Sequence, residues 1–332
     1  MILFLIFFTF INLIIFFKID YFIKLYNIYD NPIGDRKIHK IKISVFGGGI
    51  VLINLIFILL FIVFFDLKIT EFINNNRNLF LFFIIPIFIF FIGLFDDSYL
   101  IKNNIKFFLL IIFVSLGVFI DSSIIIDSIK FSWISREIML LNFSSIFTIL
   151  CILTLMNSLN FIDGIDLLLG IYSILIFSIF FYLSKSIIFI PLIITLINFC
   201  ILNYKGKLFL GDAGSLLIAY LISIFLIKLN QINIINVEQI VMLTIIPIVD
   251  CLRVFASRFL NRVSILKPDK NHIHHLLLNN YGTYKVNIIL QSLIFIPYFM
   301  STFLNFYYVI ILLQISIYLI CVINFKNKKK EI

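Results

Sequence analysis

Nine largely apolar stretches of this chain run without a charged residue for 11 to 25 positions, and a tenth, Val286–Phe325, does so for 40. Strands of a sheet would alternate apolar and polar positions, and a soluble helix would keep a polar face. These runs are apolar all round, as membrane-spanning helices are. The longest would make a helix of about 60 Å at 1.5 Å per residue, twice the roughly 30 Å of hydrocarbon, so it is read as two spans with a turn near Asn305. The other stretches begin at Met1, Ile43, Asn78, Phe107, Ile138, Leu167, Ser186, Ala213 and Gln239, which gives eleven crossings. The short ones after Lys106, Asp212 and Glu238 use flanking polar residues to complete a span. The expected fold is all-α: a polytopic integral membrane helical bundle, one domain over residues 1–332. With 62% hydrophobic and 13% charged residues, disorder, a collagenous chain, a disulfide scaffold and an outer-membrane barrel are excluded.

Eleven crossings put the two ends on opposite sides, and the cations say which side is which. Twenty of the 26 Lys and Arg fall in one set of loops; only Lys68, Arg77, Lys130, Arg136, Lys185 and Lys228 fall in the other. That bias makes the first set cytoplasmic, the N-terminus external and the C-terminal tail internal. Eleven acids lie inside and six outside, so the whole +9 formal charge faces the cytoplasm, together with His39, His272, His274 and His275. The basic residues lie between apolar runs and form no basic domain, which excludes nucleic acid as a partner. The first run lacks a preceding cation and a small-residue cleavage pattern, and reads as an uncleaved first helix. Cys151, Cys200, Cys251 and Cys321 sit singly in or beside apolar runs and read as small core residues.

Four polar clusters fall at the inner ends of spans. Asp96-Asp97 places two carboxylates side by side; they repel unless a cation, a proton or a phosphate-bound metal lies between them. In Asn157-Ser158-Leu159-Asn160-Phe161-Ile162-Asp163-Gly164-Ile165-Asp166, the two amides are three apart and share a helix face. Gly164 can end the helix and turn Asp163 and Asp166 into the bundle mouth. Interhelical hydrogen bonding would explain the asparagines but not both acids. In Lys207-Leu208-Phe209-Leu210-Gly211-Asp212-Ala213-Gly214-Ser215, the glycines let backbone approach a ligand. Asp212 offers hard oxygen for Mg²⁺, and the helix N-terminus that follows favours a phosphate. The fourth cluster runs from Asp250 and Arg253 through Arg258, Arg262, Lys267 and Lys270 to His272, His274 and His275. With Asp269 as the one close acid and no nearby cysteine, an anion such as pyrophosphate fits it better than zinc. Together these groups suit metal-assisted phosphoryl transfer between a soluble anion and a membrane-held acceptor.

From Asp30 to about Gly282 these motifs resemble the polyprenyl-phosphate N-acetylhexosamine-1-phosphate transferase family. The matching pieces are D-x-P…RKxH at Asp30, Pro32, Arg36, Lys37 and His39; GG at Gly47 and Gly48; DD at 96 and 97; NxxNxxDGxD from Asn157; FxGDxGS from Phe209; and D-x-x-R…PDKxHxHH from Asp250. Departures are Leu167 where the family usually has Gly, Leu110 for Gln, Lys270 for Arg, and Ile265-Leu266 for Pro-Phe. The resemblance implies transfer of a sugar 1-phosphate, N-acetylglucosamine or a related N-acetylhexosamine, from a UDP-sugar to polyprenyl (undecaprenyl) phosphate. UMP is released, in the first membrane step of cell-wall or surface polysaccharide assembly. It implies a multi-pass protein of the inner (plasma) membrane with a cytoplasmic active site, and leaves a homodimer open.

The roles it implies are these. Asp212 binds Mg²⁺, or Mn²⁺ in its place, with Asp97 as a second acid near the metal. Asp96 orients or deprotonates the lipid phosphate, and Asp163 is the third catalytic acid. Phe209 stacks on uracil; Asn157, Asn160 and Asp166 line the nucleotide and sugar end. Lys37, His39, Lys106, Arg253, His272, His274 and His275 bind substrate, the last five of these through phosphate oxygens. The alternative within the family is the phospho-MurNAc-pentapeptide branch. The alternative outside it is a transporter, which would carry its ionisable groups near the bilayer midplane.

Overall fold

In hydrocarbon each backbone N–H and C=O has to be bonded within its own segment, so the apolar runs fold as helices. A computed structural model describes residues 2–32, 41–65, 72, 75–262 and 271–328. Its helices are α1 (Ile2–Phe17), α2 (Ile19–Tyr26), α3 (Gly47–Phe65), α4 (Asn76–Leu79), α5 (Ile85–Tyr99), α6 (Asn103–Ile120), α7 (Ser144–Ile162) and α8 (Leu168–Ser184). They continue with α9 (Phe189–Tyr204), α10 (Gly211–Gln231), α11 (Val237–Leu260), α12 (Ile273–Leu278), α13 (Thr283–Ser301) and α14 (Tyr307–Lys328). Two two-stranded antiparallel ribbons accompany them. β1 (Tyr29–Asp30) pairs with β2 (Ile43–Ser44), Tyr29 opposite Ser44, and β3 (Ser128–Ile129) pairs with β4 (Ile138–Met139), Ser128 opposite Met139.

The chain is a polytopic helical membrane protein. Among the described residues seven helices are long and apolar enough to cross a membrane; α1 and α2, bent by 72° at Lys18, make an eighth if taken as one span. Each apolar run of the sequence has its own helix, the remaining three being the shorter α8 and α9, and α13. The 40-residue run divides as expected, with Asn305 in the turn between α13 and α14.

The centre of the bundle is α10, buried continuously from Ala213 to Leu229. Small residues let its neighbours approach. A Cβ on Gly48 of α3 would lie 2.5 Å from the Gly214 nitrogen, and one on Gly93 of α5 would lie 2.4 Å from the Ala213 Cα. Both are close helix crossings of the kind small residues allow in membranes.

Two prolines interrupt helices, and each freed carbonyl finds a partner. Pro247 cannot donate to Leu243, whose carbonyl accepts from the Tyr172 hydroxyl at 3.2 Å. Pro297 frees the Leu293 carbonyl, which accepts from Gln314 Nε2 at 3.1 Å; the same amide reaches the Met242 carbonyl at 2.8 Å. Between α4 and α5 a π-helical turn spans Phe80–Ile84, and the Ile85 N–H reaches back to the Phe80 carbonyl. The Tyr220 hydroxyl of α10 donates to the Leu81 carbonyl inside it at 3.3 Å.

Candidate active site

A cavity of about 740 Å³ opens where eight helices end. α5, α7, α9 and α11 reach it by their C-terminal ends, and α6, α8, α10 and α13 by their N-terminal ends. That alternation places every lining terminus on one side of the bundle. Asp96, Asp97, Lys106, Asn157, Asn160, Asp163, Asp166, Phe209, Asp212, His272 and His275 all line it, so three motif clusters and part of the fourth converge.

The two adjacent acids have different partners. Asp96 Oδ2 lies 2.7 Å from the Lys106 ammonium, which also bonds Asp212 Oδ2. The Asp97 carboxylate instead receives the backbone N–H of Asp212 at 2.9 Å and of Ala213 at 3.1 Å, one on each oxygen. It therefore caps the first turn of α10, two of whose N–H groups have no partner inside the helix. Gly211 makes this approach possible: it has φ +68°, and a Cβ there would lie 2.5 Å from Asp97 Oδ2. Asp97 thus caps α10 while also lining the cavity, and it occupies two of the N–H groups that the start of α10 would offer a phosphate.

Asp212 is held from its other side. Asn160 Nδ2 donates to Asp212 Oδ1 at 3.0 Å and to Ser215 Oγ at 2.7 Å. Asn203, which the sequence motifs do not single out, organises the next acid. It donates to Asp166 Oδ1 at 3.3 Å and to the Leu208 carbonyl at 2.7 Å, and accepts the Leu167 N–H at 2.8 Å. Leu167, where the resembling family usually has glycine, takes the left-handed backbone that glycine favours, with φ 69°. Phe209 is set by its backbone: its N–H donates to the Ser44 carbonyl at 2.8 Å and its carbonyl accepts the Gly47 N–H at 2.9 Å. The GG motif thus fastens the Phe209 segment to β2 and α3.

Asp163 keeps partial access to the cavity. Burial, followed by the charges of Asp212, Asp97 and Asp166, pushes its carboxyl well above the usual range. His272 stacks on Phe161 with ring centroids 5.4 Å apart, and its Nδ1 lies 2.8 Å from Asp250 Oδ2.

Two expectations are corrected. Arg253 does not line the cavity; it bonds Asp250 at 2.8 Å, the Tyr318 hydroxyl at 2.9 Å and the Asn271 carbonyl at 2.6 Å. His274 is 1% exposed and faces the protein interior, where a Cβ on Gly164 would lie 2.3 Å from its Nε2. Neither ring nitrogen has a hydrogen-bond partner among the described residues, and burial first, then His275 and His272, hold its pKa well below the ordinary value of 6.5. Arg258, a member of the fourth cluster to which the resemblance gives no individual role, brings a cation to the lining. Lys37 and His39 lie outside the described residues.

The donor set fits a hard cation completed by substrate. Asp96 and Asp212 converge on one ammonium, while among the described residues no three His, Cys, Asp or Glu side chains gather as a self-sufficient metal site. Mg²⁺ commonly takes one or two carboxylates and fills its shell with phosphate oxygens and water.

Residues 79–230, a little under half of the chain, match the model of glycosyl transferase family 4. Among curated proteins, the chain is 28% identical to the undecaprenyl-phosphate alpha-N-acetylglucosaminyl 1-phosphate transferase of Yersinia pestis, over 61% of this chain and 59% of that protein. It is 26% identical to the probable undecaprenyl-phosphate N-acetylglucosaminyl 1-phosphate transferase of Bacillus subtilis (strain 168) over the same shares. To the Escherichia coli (strain K12) undecaprenyl-phosphate alpha-N-acetylglucosaminyl 1-phosphate transferase it is 28% identical over 48% of this chain and 47% of that protein. The match thus spans between about half and three-fifths of these relatives' lengths. They agree with the resemblance carried by the motifs.

Proposed function

We propose that this chain transfers N-acetylglucosamine 1-phosphate, or a related N-acetylhexosamine 1-phosphate, from a UDP-sugar to a polyprenyl phosphate and releases UMP. Supporting it is the convergence of Asp96 and Asp212 on Lys106, with Asn160 holding Asp212 from its other side, in a cavity at one end of a membrane bundle. In this reading eleven spans cross the plasma membrane, with the N-terminus outside and the cavity facing the cytoplasm, where soluble nucleotide-sugars are found.

An oxygen of the lipid phosphate attacks the sugar-bearing phosphorus, and the bridging oxygen leaves with its electron pair as UMP. One phosphoanhydride is made as one is broken. The acceptor's second pKa is near 6, so it is largely dianionic at neutral pH, and the barrier is chiefly the meeting of negative charges. Asp96 and Asp212 would hold Mg²⁺, whose charge would screen the diphosphate. Lys106 supplies a fixed ammonium on the same side, Arg258 a second cation, and Asn160 keeps Asp212 aimed into the cavity. Phe209 offers an aromatic face to the base, and Asp163 offers a carboxyl group to the sugar end. Asp212→Asn should abolish Mg²⁺-dependent release of UMP in membranes supplied with a UDP-sugar and undecaprenyl phosphate. Turnover near that of the unaltered chain would refute the assignment, and absence of any lipid-linked product across a panel of UDP-sugars would refute the transferase reading.

A further inference from the structure

The Asp250 carboxylate lies just behind the cavity and is buried, yet it receives four donors from three directions. Arg253 Nη2 and the Tyr318 hydroxyl each lie 2.8 Å from Oδ1, the Ile273 N–H lies 3.1 Å from it, and His272 Nδ1 lies 2.8 Å from Oδ2. Tyr318 comes from α14, far along the chain from the other motifs, and its hydroxyl accepts from Arg253 Nε at 2.9 Å while donating to Asp250. An ionised carboxylate can only accept, so the proton on the His272–Asp250 bond sits on Nδ1. The opposite edge of the ring, Nε2, is hydrogen-bonded by no described residue, and His272 lines the cavity. Stacking on Phe161 at 24° and on His274 at 10° fixes the ring plane. A histidine that gives one N–H to a carboxylate, with its plane clamped, has both its tautomer and its aim settled.

We propose that Asp250 and Tyr318 are positioning residues that hold His272 so that its Nε2 meets a phosphate oxygen of the substrates. Asp250 fixes the tautomer, and Tyr318 and Arg253 fix Asp250. The inference rests on the transferase reading for the identity of the anion, but not for the orientation of the ring. Its test compares Asp250→Asn, Tyr318→Phe, His272→Gln and the Asp250→Asn/His272→Gln pair in detergent-purified protein, by UMP release at varied UDP-sugar and undecaprenyl phosphate. His272→Gln and Asp250→Asn should each lower kcat/KM about 10-fold or more, as loss of an orienting partner does at comparable sites. The pair should be no worse than His272→Gln alone, because Asp250 acts through that ring. Tyr318→Phe keeps the aromatic packing and should give a smaller loss of the same kind in a chain that still folds, with only the modest fall in thermal midpoint that a lost buried hydroxyl causes. Losses that multiply in the double variant, or full activity in Tyr318→Phe, would overturn the proposal. If Asp250→Asn fails to fold, Tyr318→Phe decides. If the unaltered chain turns over no UDP-sugar, ¹⁵N NMR of the imidazole, assigned by comparison with His272→Gln, still reads the tautomer. A proton on Nδ1 supports the positioning role, and one on Nε2 refutes it.

Discussion

Asp96 and Asp97 are neighbours in the sequence with unlike tasks, and the difference is measurable. Asp97→Ala removes both acceptors from the first turn of α10 and should lower stability by about 1–2 kcal/mol, with Asp97→Asn costing less because an amide oxygen still accepts. Thermal unfolding in micelles checks this; Asp96→Asn should leave the midpoint almost unchanged while cutting turnover. His274 gives a second prediction. It is held neutral in the folded protein, whereas unfolded it titrates near 6.5, so the unfolded chain binds the extra proton first as pH falls. Stability should therefore decline on acidification below about pH 6.5, by up to about 1.4 kcal/mol per pH unit from this group. His274→Leu should remove that part of the slope in unfolding midpoints compared between pH 7 and pH 5; equal slopes would refute it. That these acids and histidines share a site was legible from their common sidedness. Which one faces a helix end, and which turns into the core, was not, because that depends on how α5 lies on α10 and how Gly164 admits a ring.

Helices were legible wherever charge was absent for long enough, while their contacts were not. The positions of Gly48, Gly93 and Gly214 carry no periodic signal, yet they set the closest crossings. Gly93→Ala would drive a methyl into the α10 backbone and should cost about 1–3 kcal/mol by forced separation, loosening the Asp97 cap as well. Expression and thermal midpoint of this variant against Gly117→Ala, whose nearest neighbours are side-chain atoms at 3.3 Å, make the comparison. Gln314 shows a different kind of hidden link. Its amide closes two carbonyls, one freed by a proline on another helix, so Gln314→Leu should destabilise by about 0.5–2 kcal/mol in unfolding assays despite its better fit to hydrocarbon. A proline is easy to see in the sequence, but the residue that compensates for it is 17 positions away on another helix.

For the molecule as a whole, the charge count yields a prediction independent of catalysis. In a background lacking Cys151, Cys200, Cys251 and Cys321, a cysteine at exposed Lys130 should react with a membrane-impermeant maleimide in intact cells. One at exposed Lys102 should react only after permeabilisation. The reverse pattern would invert the proposed topology and place the cavity outside. The π-helical turn at Phe80–Ile84 bears on how such a bundle can change over time. It holds one residue more than a regular α-helix needs, a phase shift of about 100° at 3.6 residues per turn. That makes it a seam at which the chain can gain or lose a residue: shortening by one there would restore a plain helix and leave Gly93, Asp96 and Asp97 facing α10 and the cavity. The same deletion between Ile89 and Gly93 would rotate those side chains away from everything they touch. When the spans of relatives are aligned, a single-residue gap belongs in the seam and is forbidden between Ile89 and Gly93.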